Sequence, residues 1–267
     1  MQILPGMMMS MSAYAPLSWR QVKTLTKASI KARYRNTFAG VLWVVLSPLL
    51  MFSAQGYAFK FVLRIKFDNY PLFLLSGLLP WIFFIQSIQM GTTIFVVHGR
   101  LLKSFPLHPL VCLISLILDN LINFSLTFVL ILLPLLFFTE GATVSHFLLI
   151  PLPLLSLLIA TVGSAWFLAT LQVFFHDTRY IVDFVSSIAF YLTPIFYPKQ
   201  FVGPEWYALV DYNPLAILLT PLQALSRTQL PDDFVFSVFA SFGVSLSIFA
   251  LAFVFWYRKK NLVYLYL

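Results

Sequence analysis

From Asn36 to Phe59 the chain carries no charged residue, and that uninterrupted apolar run decides what it can fold into. The run is longer than the about 20 residues a helix needs to cross the hydrocarbon core of a bilayer. Further runs with no charge, or with a single acid, follow at 70–97, 109–138, 146–174, 180–198 and 234–257. The expected fold is all-α and integral to the membrane. It is one transmembrane domain over 1–267, with six spanning helices at about 37–60 and at those five runs.

Charge placement orients the spans. The composition is 60% hydrophobic and 10% charged with a mean hydropathy of +0.90, outside the range of soluble domains. A net charge of +8 would suggest nucleic acid in a soluble protein. Here the cations flank apolar runs, which excludes that partner and follows the positive-inside rule. Arg20, Lys23, Lys27, Lys31, Arg33 and Arg35 precede the first span, so the N-terminus is expected in the cytoplasm. Six spans return the chain to the same side, where Arg258, Lys259 and Lys260 follow the last. On this map 12 of the 17 cations are cytoplasmic. Lys60, Arg64 and Lys66 run against it, in an outer loop, FKFVLRIKF, that alternates like a short strand.

Two segments outside the spans carry helical signals. Over 17–36, cations at 20, 23, 27 and 31 recur at helical spacing beside Leu17, Val22, Leu25 and Ile30. This predicts an amphipathic helix in the membrane interface, with Trp19 and Tyr34 at headgroup level. Residues 199–233 are too long for an ordinary connection and too apolar for a disordered one. Two short helices are expected there, with Pro204 and Pro214 in their first turns. They form an outer gate segment, a re-entrant hairpin between spans five and six.

Catalytic chemistry is sparse. There is no GxxxxGK[ST] phosphate loop, and none of the 10 glycines precedes a lysine, so ATP must be hydrolysed elsewhere if it is used. His98, His108, His146 and His176 lack metal-ligand spacing, and the lone Cys112 lies in an apolar run. No metal, no catalytic residue and no cleavable leader over residues 1–19 are expected. Asp119 and Asp183 are acids within spans, where carboxylates serve proton relays or structural hydrogen bonds. Asp119 has Asn120 and Asn123 nearby, and Asp183 has Arg179.

Aromatic residues are abundant: 29 Phe, 12 Tyr and 6 Trp. Trp81 and Phe84 in the second span, with Tyr191, Phe196 and Tyr197 in the fifth, concentrate rings towards the outer side. Such rings either line a channel or gate suited to sugars, whose C–H faces stack on aromatics, or form an interfacial belt.

RYRNTFAGVLWVVLSPLL, NYPLFLLSGLLPWIFF, RLLKSFP, FFHDTRYIVDFVSSIAFYLTPIFYP and YNPL, in that order, resemble the permease subunits of type-2 ATP-binding-cassette exporters. The closest branch exports O-antigen, capsule and teichoic acid polysaccharides. The resemblance extends from about Arg33 to the last span. It implies a homodimer in the bacterial cytoplasmic (inner) membrane, both termini cytoplasmic, moving a lipid-linked polysaccharide such as O-antigen. The chain itself would be no enzyme and bind no cofactor. ATP and Mg would be used by two copies of a separate ABC ATPase. The loop from Gly99 to Pro109 would couple to that ATPase through Arg100, Leu101, Leu102, Lys103, Phe105 and Pro106. This sequence departs from the family in compressing that loop and in placing His176-Asp177 where an Arg-Asp pair is typical. Arg33, Tyr34 and Arg35 either meet the lipid phosphate or only anchor their helix among membrane lipids. A type-2 exporter of a small amphiphile or drug is the alternative. A secondary transporter would show repeated halves, and no repeat is visible.

Overall fold

A computed structural model describes residues 16–35, 42–57, 69–105, 107–138, 144–227 and 229–266. Pro106 and the alternating segment at 60–66 lie outside the described residues, as do the ends of the first span. The described chain is helical, with no strand among its residues.

The amphipathic pattern of the N-terminal segment folds as α1, Trp19–Tyr34. Its buried stripe is Val22 and Thr26, with Leu25 partly buried, while Lys23, Lys27 and Lys31 stay exposed. The stripe docks on α5, Pro109–Thr127. Thr26 Oγ1 reaches the Ser115 carbonyl at 3.4 Å and Arg33 reaches Asp119 at 2.6 Å, so the two helices run side by side in the same direction.

α2, Leu42–Tyr57, contains Pro48 and is exposed along much of its length. α3, Tyr70–Val97, is apolar all round and buried on nearly every side, as expected of a helix surrounded by other helices. Six residues of α4, Gly99–Ser104, turn the chain into α5. α5 continues through a π-helical turn, Phe128–Leu132, into α6, Leu133–Phe137. Pro134 lies just beyond that turn and has no N–H for the helical ladder, which the wider turn accommodates. α7, Val144–Leu149, leads through Ile150 into α8, Pro151–Phe174.

α8 and α12, Phe234–Tyr266, form the most extensive helix–helix contact among the described residues. A Cβ at Gly163 would lie 2.8 Å from the Phe249 Cα, so only glycine allows the backbones to approach this far. Ser241 Oγ donates to Ser156 Oγ at 3.0 Å in the same interface, and Trp166 packs against Phe249, Phe253 and Trp256.

Tyr70–Val97, Pro109–Phe137, His146–Phe174 and Phe234–Val263 are long and apolar enough to cross a membrane. The first and fifth expected spans are shorter as helices. α9, Thr178–Leu192, has 15 residues and is about 22 Å long against a core of about 30 Å. Pro194 removes a backbone donor, and the chain from Thr193 to Pro198 leaves the helix. The released backbone is held by side chains: Asn213 Nδ2 donates to the Leu192 carbonyl at 3.5 Å and Gln223 Nε2 to the Pro194 carbonyl at 3.0 Å.

The segment 199–233 contains two short α-helices, α10, Tyr207–Asp211, and α11, Pro214–Ala224. Pro204 opens the 3-10 turn leading into α10 and Pro214 opens α11. α11 buries Leu218, Leu219 and Leu222 against α3, α8 and α12. Lys199 pairs with Asp211 across the segment.

Candidate functional site

A cavity of about 710 Å³ opens between the end of α1 and helices α2, α3, α5 and α9. Its size is in the range of about 300–1,000 Å³ found for small-molecule pockets. Amides occupy one part of the wall: Gln86 and Gln89 from α3, Asn120 and Asn123 from α5. Each pair is three residues apart, a spacing that puts both amides on one helix face. Rings occupy another part: Trp43 from α2, Trp81 from α3, Phe190 and Tyr191 from α9. Trp43 and Tyr191 are well exposed, 53% and 73%, and rim the open side.

At the end of α1, Arg33 Nη2 donates to Asp119 Oδ2 at 2.6 Å and to Asn120 Oδ1 at 3.2 Å. The neighbouring Tyr34 hydroxyl donates to Asn123 Oδ1. Asn120 Nδ2 in turn donates to Ser87 Oγ at 3.2 Å. One polar network therefore joins α1, α5 and α3. Asp119 is buried, which is costly for a carboxylate unless a cation and hydrogen bonds compensate, and Arg33 supplies both. Of the alternatives open for Asp119, the geometry is that of a structural ion pair. Asp183 makes no ion pair with Arg179.

The residues expected at lipid phosphate divide. Arg33 and Tyr34 turn into the cavity wall, whereas Arg35 is exposed. The aromatics divide too. Trp81, itself buried, and Tyr191 line the cavity; Phe84 and Phe196 are buried outside its lining. Tyr197 is half-buried and donates its hydroxyl to the Tyr191 carbonyl at 3.0 Å.

The expected coupling residues form α4 and the residue after it. Leu102 is buried and Leu101 packs against the core, which anchors the turn. Arg100, Lys103 and Phe105 are exposed. His108 caps α5 by accepting from the Leu110 N–H at Nδ1, 3.2 Å away, and its ring lies 6.1 Å from Trp256. Burial holds the His108 imidazole below its ordinary value.

At the turn into α9, Gln172 donates to the His176 carbonyl at 2.9 Å and accepts from the Arg179 N–H at 2.8 Å. The turn is thus closed by a glutamine. Sequence reasoning passed over this residue and over Gln86 and Gln89. The readable signal for the latter two was a pair of amides at helical spacing inside an otherwise apolar span.

Membrane-length helices around a cleft walled by amides and rings define a multi-pass membrane protein. The chain belongs to the ABC-2 type transporter family, whose sequence profile matches residues 20–230. It is similar to an O-antigen export system permease protein, RfbA, of Myxococcus xanthus, 31% identical over 89% of this chain and 92% of that one. An RfbA of Klebsiella pneumoniae is 28% identical over 85% of this chain and 88% of its own. The polysialic acid transport protein KpsM of Escherichia coli is 22% identical over 86% of each chain.

Proposed function

We propose that this chain is the transmembrane permease subunit of an ATP-driven exporter that carries a lipid-linked polysaccharide of the O-antigen type out of the cytoplasm. The carrying observation is collinear similarity over nearly the whole chain to a permease named for O-antigen export. The wall of amides and rings agrees with a hydroxyl-rich cargo and favours it over a small apolar amphiphile.

As a permease the chain conducts and a separate ABC ATPase hydrolyses ATP. Two permease copies and two ATPase copies make the working unit, in a bacterial inner membrane with both permease termini cytoplasmic. In this arrangement all six helical regions α2, α3, α5–α6, α7–α8, α9 and α12 traverse the bilayer. The short α9 completes its crossing through Thr193–Pro198, and α10 and α11 form the re-entrant outer gate. Asp119 then lies ten residues into α5, about 15 Å from its cytoplasmic end. The exposed Arg100, Lys103 and Phe105 of the α4 turn meet the ATPase. Arg35 and the exposed lysines of α1 attract the lipid phosphate, because an anion at the membrane edge is stabilised by unpaired cations.

Deleting the gene and restoring it on a plasmid tests the reading. Surface polysaccharide should disappear and return, with lipid-linked glycan accumulating inside the deleted cells. Normal surface polysaccharide in the deletion strain refutes it.

A further inference from the structure

Several donors and acceptors in the cavity wall have no protein partner. The Gln86 and Gln89 amides, both in the lining, make no side-chain hydrogen bond among the described residues. Asn123 accepts from Tyr34 at Oδ1, but its Nδ2 is buried without a partner. Arg33 uses only Nη2, so Nε–H and the two Nη1–H groups, three of the five guanidinium donors, remain free. Asn123 Nδ2 is withheld from water, which is costly inside a membrane protein, and the more open Gln86 and Gln89 present their amides to the cavity. Something polar belongs against this wall.

Charge and valence select what it is. Arg33 is the one charged side chain in the described lining, and Asp119 behind it already balances that charge at 2.6 Å. A phosphate would bring negative charge to a neutral site with a carboxylate behind it. A phosphate also only accepts hydrogen bonds, whereas each glutamine offers an acceptor as well as donors. A hydroxyl both donates and accepts and needs no counter-charge. Beside the amides, the exposed rings of Trp43 and Tyr191 give flat faces for sugar C–H groups.

We propose that this cavity is a saccharide subsite. Gln86, Gln89 and Asn123 hydrogen-bond the hydroxyls of the passing glycan while Trp43 and Tyr191 stack on its rings, and the lipid phosphate is held elsewhere. The inference rests on the export function proposed above and adds which chemical part of the cargo is bound here. Arg33 accordingly serves as a hydrogen-bond donor with its charge already spent on Asp119.

The test uses the permease–ATPase complex in lipid nanodiscs. The probe is the host cell's own surface polysaccharide, released from lipid by mild acid and tritiated. The parental complex should bind it saturably, and excess inorganic pyrophosphate should not compete. Gln86→Leu with Gln89→Leu should weaken binding about tenfold, the loss of about two hydrogen bonds, without lowering the thermal unfolding temperature. If that pair does not assemble, Gln86→Asn with Gln89→Asn, which shortens but keeps the amides, decides by the same measure. Displacement by pyrophosphate, absence of binding to the parental complex, or parental affinity in the assembled variant each overturns the proposal. Surface polysaccharide in cells separates the two readings. If it persists in the deletion strain, the export function fails. If it is lost on deletion but the variants bind like the parent, only the saccharide subsite fails.

Discussion

Arg33 and Asp119 are separated by 86 positions in the chain, and Arg33 Nη2 donates to the Asp119 carboxylate at 2.6 Å. The bond fastens the end of the amphipathic α1 to the middle of a spanning helix. Asp119 has 3% side-chain exposure and Arg33 has 31%, so losing the cation strands the carboxylate more than losing the carboxylate strands the cation.

A double-mutant cycle should show this asymmetry. Arg33→Leu is expected to destabilise the permease by about 3–5 kcal/mol, because it leaves a buried charge uncompensated. Asp119→Leu should cost less, and the double variant should recover much of the loss. Thermal unfolding of all three in one detergent gives the answer; additive losses would mean the pair is not coupled.

Close approach of α8 and α12 predicts intolerance at Gly163. The added Cβ of Gly163→Ala meets the Phe249 backbone, which cannot rotate away as a side chain would. Overpacking of this kind costs about 1–3 kcal/mol. Gly243, where a Cβ meets nothing within 4 Å, should accept alanine with no such loss. Parallel melting curves for the two variants check the contrast.

In the α4 turn, buried and exposed residues should separate folding from coupling. Leu102→Ala removes an anchor at 4% exposure and should destabilise by about 2–5 kcal/mol. Lys103→Glu with Phe105→Ala alters only exposed groups, so the permease should fold and insert normally yet lose ATPase binding. Co-purification with the ATPase measures this; retained binding would remove those residues from the contact.

His108 should give the assembly an acid sensitivity. Burial holds its folded value below the ordinary one of about 6.5, so protons bind preferentially to the unfolded chain. The associated stability is present above the ordinary value and is lost as pH falls through the lowered folded value. Protonation also converts Nδ1 from acceptor to donor and breaks the cap to Leu110. Unfolding temperature should fall as pH drops below about 6.5, and His108→Asn, which can still cap α5, should fall less steeply.

Much of this was legible from the chain alone, because charge-free runs and proline positions act locally. Pro204 and Pro214 marked the helical turns of the outer segment. The amphipathic spacing of Lys23, Lys27 and Lys31 marked α1. What α1 packs on was not legible. Its partner depends on Thr26 and Arg33 meeting Ser115 and Asp119, residues close in space but remote in sequence. The cavity had the same difficulty: Trp81 and Tyr191 line it, but Phe84 has the same local signature and lies outside the lining. Which ring on a mostly apolar helix meets a cavity is decided by the neighbouring helices. The expected end of α9 lies near Pro198, whereas the helix stops at Leu192, where Asn213 and Gln223 bond the Leu192 and Pro194 carbonyls at the break.

The burial of α3 has a consequence for biosynthesis. This early helix is hydrophobic enough to enter the bilayer alone, yet its surroundings come from chain made later. Ser87 waits for Asn120, Gly91 for Ala165 and Gly77 for Gln223. Until α11 has been translated, the faces destined to be interior meet lipid or a chaperone. A ribosome stalled before residue 214 should therefore hold an inserted α3 whose Gly77 face crosslinks to lipid, and release of the full chain should shift that crosslink to α11.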